Sequence, residues 1–281
     1  MNSPDRYVVF GNPVAHSQSP FIHAEFARQT GEALVYERVL CPLDGFRAAL
    51  AALAASGARG CNITVPFKFD AYAAATRTTA RARLAGAANV LRFDADGWLG
   101  DNTDGAGLMA DIERNAGVGI AGRRVLLIGA GGAAAGVLGP LLAHGPAEVA
   151  VTNRTAARAD ELVARHLEAA VAAHARLHAV PLAAPGLAYD IVLNASASSL
   201  EGAPAPVPAS VLRPGTLALD LMYGPGAQAF VDWADAHAAV GRDGLGMLVE
   251  QAAEAFLLWR GVRPDTGPVL TLLHERLAVP R

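Results

Sequence analysis

Short apolar runs and amphipathic stretches alternate along the first hundred residues. Residues 6–10 read as a strand. Ser19-Pro20 then opens a helix running toward Gly31, with Ser19 as N-cap and Pro20 at the first helical position. Residues 34–40 predict a second strand, 43–56 a second helix, 61–65 a third strand and 89–93 a fourth. This alternation predicts an α/β unit with mostly parallel strands.

A new pattern begins near residue 104. After one helix, residues 123–128 form an apolar strand that feeds a glycine-rich turn and another helix. Further strands are predicted at 148–152, 190–193 and 216–219, and a surface loop rich in Pro and Ala at 201–208. Helices over about 245–260 and 267–277 close the pattern. At 281 residues the chain exceeds a typical α/β domain, so two domains are expected.

Composition narrows the function classes. Net charge is −3 and no basic block stands out, which argues against nucleic acid, whose phosphates need clustered Lys and Arg. No basic leader with an apolar core opens the sequence, and Gly, Pro and charges break every Ala-rich stretch before it could span a bilayer. A cytoplasmic protein without a membrane partner is expected. Cys41 and Cys61 match no metal spacing and cannot make a disulfide framework.

The segment Gly129-Ala130-Gly131-Gly132-Ala133-Ala134 follows the apolar strand and opens a helix. It fits the G-x-G-x-x-G/A pattern, in which a tight turn lets the backbone approach a pyrophosphate at a helix N-terminus. The alternative is a glycine-rich helix start that binds nothing. The next strand ends Val151-Thr152-Asn153-Arg154-Thr155, without the carboxylate that bonds the ribose 2′-OH of NAD. Arg154 instead suits the 2′-phosphate of NADP, unless it is a solvated charge starting a helix.

Of the 23 Lys and Arg residues, Lys68 is the sole lysine, in Asn62-Ile63-Thr64-Val65-Pro66-Phe67-Lys68. Arginine stays protonated, whereas lysine can exchange a proton when its surroundings tune it. A chain that uses Arg everywhere else points to chemistry at this amine, or to one surface lysine surviving by chance. Asp104, in Gly100-Asp101-Asn102-Thr103-Asp104-Gly105, is the candidate partner that would hold the amine in place. It could equally serve to cap the helix that follows.

Together these segments resemble the shikimate dehydrogenase family over nearly the whole chain. The likeness rests on Gly11-Asn12-Pro13-Val14-Ala15-His16-Ser17-Gln18-Ser19-Pro20, the stretch 62–68, Asn89, Asn102-Thr103-Asp104-Gly105, the glycine turn, Asn153-Arg154-Thr155 and Asp243-Gly244-Leu245-Gly246-Met247-Leu248-Val249-Glu250-Gln251. The resemblance implies reversible reduction of 3-dehydroshikimate to shikimate with NADPH, by a monomer or homodimer. It also implies a Rossmann-like NADP-binding domain over 104–244 and a discontinuous α/β substrate-binding domain, 1–103 with 245–281 returning to it. Lys68 would be the general acid/base, positioned by Asp104. Ser17 and Ser19 would hold the substrate carboxylate, with Tyr223 near it, and Thr64, Asn89, Asp104 and Gln251 would bond the ring hydroxyls. Gly129, Ala130, Gly131, Gly132, Ala133, Asn153, Arg154, Thr155 and Gly244 would bind the cofactor. Structural alternatives stay open: capping for the polar groups, a buried core position for Tyr223.

Quinate or a broader set of substrates is the nearest alternative. A non-catalytic NADP-binding sensor is a second, though it would be expected to lack the Lys68–Asp104 pair. No metal is expected: His174 and His178 stand four apart on a predicted helix, but no third ligand is evident.

Overall fold

The computed structural model describes residues 3–201 and 205–278; part of the predicted loop at 201–208, residues 202–204, lies outside them. The chain forms two compact units, Met1–Gly107 with Leu248–Arg281, and Leu108–Met247. No helix among the described residues is long and apolar enough to cross a membrane.

The first unit contains β1 (Asp5–Gly11), α1 (Ser19–Thr30), β2 (Leu34–Leu40), α2 (Phe46–Ala55), β3 (Ala58–Ile63), α3 (Lys68–Ala74), β4 (Arg77–Thr78), α4 (Ala80–Ala85), β5 (Val90–Asp94), β6 (Gly97–Asp101) and the start of α5 (Asp104–Ala110). Its sheet has the order β2-β1-β3-β5-β6-β4. Tyr7, Val8, Val9 and Phe10 are all buried, as expected for a central strand covered on both faces. The mostly parallel sheet predicted here is found, with β4–β6 parallel as well and two antiparallel pairs inserted. Strand β1 is parallel to β2 and β3, but β3–β5 and β5–β6 are antiparallel. The β5–β6 pair has a local reason: Asp94-Ala95-Asp96-Gly97 turns tightly, with Gly97 at φ +126°, and a hairpin connection makes its strands antiparallel.

Two helix starts also differ from expectation. The N-cap of α1 is Gln18, and Ser19 lies inside the helix with its hydroxyl beside that of Ser17. Helix α2 begins at Phe46, after Gly45 at φ +86°, so the apolar Leu43 belongs to the exposed approach.

The second unit contains the end of α5, a π-helical turn at Asp111–Asn115, β7 (Arg124–Ile128), α6 (Gly132–Ala143), β8 (Glu148–Thr152), α7 (Ala156–Ala172), β9 (Arg176–Ala179), β10 (Ile191–Asn194), β11 (Leu217–Asp220), α8 (Gln228–Asp235) and β12 (Val240–Arg242). The wholly parallel sheet has the order β12-β11-β10-β7-β8-β9. Counted from β7 this is the 3-2-1-4-5-6 order of the Rossmann fold, and the order reverses between β7 and β10. Helices α9 (Leu245–Arg260) and α10 (Thr266–Ala278) complete the chain, and all but the first turn of α9 belongs to the first unit.

The helical reading of His174 and His178 is corrected. Helix α7 stops at Ala172, His174 sits in a turn at φ 53°, and His178 lies in β9 beside Glu148. The two imidazoles share no helix face.

Candidate active site

Lys68 opens α3, after the turn that leaves β3, and its ammonium is paired with Asp104 Oδ2. The side chains are 14% and 6% exposed, so the pair is shielded on most sides while the amine keeps contact with water. Asp104 is the first residue of α5, inside the helix rather than ahead of it. Asn102 Oδ1 accepts the Asp104 backbone N–H at 3.2 Å, a side-chain turn that leaves the Asp104 oxygens for other partners.

The second oxygen, Asp104 Oδ1, accepts Asn89 Nδ2 at 2.8 Å. Asn89 is 2% exposed and fully engaged: its Oδ1 accepts the Thr103 N–H at 2.8 Å, and Nδ2 also faces Thr103 Oγ1 at 2.9 Å and Gln251 Oε1 at 3.2 Å. Gln251, on α9, is fixed through Nε2 to the Leu248 carbonyl at 2.8 Å. It can approach because Gly107 of α5 has no side chain; a Cβ there would lie 2.6 Å from the Gln251 nitrogen. The chain thus gathers Lys68, Asn89, Asp104 and Gln251 from four separate segments.

Thr64, half-buried in the turn before Lys68, packs against the end of β1; a Cβ on Gly11 would stand 2.3 Å from its methyl group. Ser17 Oγ lies 3.1 Å from Ser19 Oγ and accepts the Ser19 N–H at 3.2 Å. The Ser17 carbonyl in turn accepts both arms of Arg38, at 2.9 and 2.6 Å. Two hydroxyls held side by side on a braced turn are a reasonable donor pair for an anion.

In the second unit Gly129 closes β7 at φ +110°, where a Cβ would meet Ala195 at 2.8 Å. Gly131 is the N-cap of α6, with no side chain capping the helix and no atom within 4 Å of its would-be Cβ among the described residues. An open helix N-terminus presents unpaired N–H groups to an anion, and the space over Gly131 admits a phosphate close to the backbone. Arg154 follows β8, exposed and without an ion pair among the described residues. Asn153 Nδ2 donates to the Thr155 carbonyl at 3.0 Å, and Thr155 is the N-cap of α7. Gly244 packs against the Leu221 carbonyl, with its would-be Cβ 2.5 Å away. These residues fit a pyrophosphate on the glycine turn and a 2′-phosphate at Arg154. Tyr223, three residues past the end of β11, is half-buried rather than part of the core.

Sequence reasoning missed a set of buried polar residues that close strands. Asp220 ends β11 and Asn194 ends β10; Asn194 Nδ2 donates to Asp220 Oδ2 at 2.8 Å, and Ser199 Oγ donates to the same oxygen. Burial pushes the Asp220 carboxyl above its ordinary range, against the hydrogen bonds from Ser199, Met222 and Asn194. In the first unit, Asn62 Oδ1 accepts the Tyr36 hydroxyl at 2.7 Å, whose pKa burial raises well above the ordinary value. The available signal was a polar residue at the end of an apolar run, where sheets of this kind bind ligands.

Three family models match the chain: the shikimate dehydrogenase substrate binding domain over residues 9–91, shikimate / quinate 5-dehydrogenase over 112–201, and the shikimate 5'-dehydrogenase C-terminal domain over 244–273. A shikimate dehydrogenase (NADP(+)) of Acidovorax sp. (strain JS42) is 62% identical, with 98% of this chain and 97% of the relative covered. The shikimate 5-dehydrogenase of Thermus thermophilus, solved with NADP(H) and shikimate, superposes with a TM-score of 0.83 at 32% identity, covering 97% of this chain and all (100%) of that one. The ligand-free 5-ketofructose reductase of Gluconobacter sp. strain CHM43 gives 0.80 at 26% identity over 98% and 100% of the two chains. With a glycine turn at the switch point of one unit and the Lys68–Asp104 pair in the other, the chain belongs to the shikimate dehydrogenase family.

Proposed function

We propose that this protein catalyses the NADP-dependent interconversion of 3-dehydroshikimate and shikimate. The observation that carries the reading is the shielded Lys68–Asp104 pair, with Asn89 and Gln251 joined to the same carboxylate cluster. An amine that can exchange protons, held by a fixed carboxylate, is what reduction of a ring ketone requires. The relatives' NADP dependence and the fit of the glycine turn and Arg154 support the cofactor.

Lys68 Nζ gives a proton to the carbonyl oxygen as that oxygen becomes a hydroxyl, and takes it back in the oxidation. Asp104 holds the amine by Oδ2 while Asn89 keeps the carboxylate from turning. Thr64, Asn89, Asp104 and Gln251 orient the ring hydroxyls, and Ser17 and Ser19 bind the carboxylate. When bound, the nicotinamide supplies or accepts the hydride. Gly129 to Ala133 hold the pyrophosphate, with Asn153, Arg154 and Thr155 at the adenosine end and Gly244 toward the nicotinamide. In this reading the Met1–Gly107 and Leu248–Arg281 unit takes substrate and the other unit takes NADP. A cytoplasmic setting fits the buried free thiols of Cys41 and Cys61, and the working form is a monomer or homodimer.

The test is NADP reduction followed spectrophotometrically, with shikimate and with quinate in parallel. Turnover of shikimate with kcat/KM above that for quinate is expected. Preference for quinate would move the protein to the quinate branch of the family, and turnover of neither would overturn the reading.

A further inference from the structure

The Lys68–Asp104 pair stands on a second, half-buried ion pair that the mechanism above does not use. Asp101 ends β6, three residues before Asp104, and is 1% exposed. Arg81 of α4 grips its carboxylate as a fork, Nε to Oδ1 at 2.7 Å and Nη2 to Oδ2 at 2.6 Å. Oδ1 also accepts the Thr79 hydroxyl at 2.6 Å and the Asn102 N–H at 2.7 Å. Burial alone would raise the Asp101 carboxyl, but Arg81, Thr79 and Asn102 together hold it below its ordinary range.

From Asp101 the connection runs to the reacting pair. Asn102, fixed by its N–H to Asp101 and by Nδ2 to the Ala87 carbonyl at 3.0 Å, accepts the Asp104 N–H on its own side chain. The remaining arm of Arg81, Nη1, reaches Glu254 Oε2 at 3.4 Å on α9, three residues beyond Gln251. One guanidinium therefore joins the strand end that leads to Asp104 to the helix that carries Gln251.

We propose that Arg81 is a positioning residue: its two-pronged hold on Asp101 fixes the backbone of residues 102–104, so that Asp104 meets Lys68 and Asn89 in register with Gln251. The inference rests on Lys68 and Asp104 being the reacting pair. Only a planar fork fixes both oxygens at once; a lysine at 81 would supply the charge at a single point and let the carboxylate rotate. A brace that served folding alone would lower stability without acting through Asp104, and that difference is measurable.

The experiment is a double-mutant cycle on the full chain: wild type, Arg81→Lys, Asp104→Asn and the double variant. Each is assayed for shikimate-dependent NADP reduction, with thermal midpoint and calorimetric affinities for NADP and shikimate alongside. Arg81→Lys is expected to lower kcat about 10- to 100-fold, the scale of an ångström-sized misplacement, with NADP affinity within about twofold of wild type. In the Asp104→Asn background the same change should cost no more than about twofold, in kcat and in shikimate affinity. Asp101→Asn loosens the same contact from the other side; it should reproduce the loss, and it replaces Arg81→Lys in the cycle if that variant folds poorly. Equal losses in both backgrounds, or an unchanged kcat, would overturn the proposal. A wild-type protein inert towards shikimate would instead overturn the functional reading, and this inference with it.

Discussion

Asn89 donates to Asp104 Oδ1 at 2.8 Å while Lys68 takes Oδ2, so the carboxylate's two oxygens serve different ends. One is tied to a neutral amide that cannot leave, since Asn89 is itself held by Thr103. The other faces a group able to lose and regain a proton. In the proposed mechanism the carboxylate is a fixed support and the amine the moving part.

Lys68→Ala should therefore lower kcat by about 10²–10⁴-fold, the usual worth of a positioned general acid, with NADP affinity within about twofold of wild type. Lys68→Arg separates charge from proton transfer. It should keep the ion pair and a thermal midpoint near wild type, yet remain almost as inactive as the alanine variant, because guanidinium does not release its proton. Steady-state kinetics with calorimetry decide; substantial turnover by Lys68→Arg would show that charge alone suffices.

Asn89→Leu tests the support. It removes the partner of the Thr103 N–H and of Asp104 Oδ1, both buried, at about 1–3 kcal/mol for each group left unpaired. The thermal midpoint should fall by several degrees, at about 2–4 °C per kcal/mol, and the KM for shikimate should rise. An unchanged midpoint would mean that water replaces the amide without loss.

How far this was readable in advance depended on whether a signal was local. The glycine turn of residues 129–133 follows an apolar strand and opens a helix, and all three belong to one continuous stretch of sequence. The isolated lysine at 68 stood out by composition alone. Strand β9 was hidden because His174 and His178 continue the polar pattern of α7, and the turn at Ala173-His174 contains no Gly or Pro. The Arg81–Asp101 fork and the Asn194–Asp220 contact join segments 20 and 26 residues apart. Only the tertiary fold makes them neighbours, so no local pattern could announce them.

The glycine turn yields a paired prediction. Gly131→Ala meets no neighbour and has an ordinary φ of −88°, so the variant should fold with a midpoint within about 2 °C of wild type. It should nonetheless bind NADP more weakly, because its methyl group occupies the approach to the helix N-terminus. Gly129→Ala combines φ +110° with a 2.8 Å contact to Ala195 and should lose stability outright. NADP titration of Gly131→Ala at full wild-type affinity would remove the pyrophosphate from this turn.

Arg154→Ala should cost NADP specificity without touching the fold. The side chain is exposed and unpaired among the described residues, so stability should stay within about 0.5 kcal/mol. A charge-assisted contact to a 2′-phosphate is worth about 1.5–3 kcal/mol, so kcat/KM with NADP should drop roughly 10- to 100-fold while that with NAD stays level. Equal losses with both cofactors would place Arg154 elsewhere than at the 2′-phosphate.

His23 gives a pH dependence whose sign can be worked out. Its ring is fully buried, stacked on Tyr36 at 4.2 Å and flanked by Phe26, Phe256 and Trp259, and neither ring nitrogen has a hydrogen-bond partner among the described residues. Burial pushes the imidazole from its ordinary 6.5 down to about 3, with Asn62 opposing. Between those values the unfolded chain binds a proton that the folded chain refuses, so acid favours unfolding. The stability tied to His23 is complete above pH 6.5 and is lost as pH falls toward 3, at up to about 1.4 kcal/mol per pH unit. His23→Phe keeps an aromatic ring in the stack and removes the titrating group. Denaturant unfolding of both proteins from pH 7.5 to 4.5 should therefore give a stability difference that is flat near neutrality and shifts steadily in favour of His23→Phe below about pH 6.5. A difference that stays constant across that range would mean the imidazole accepts its proton inside the folded aromatic cluster.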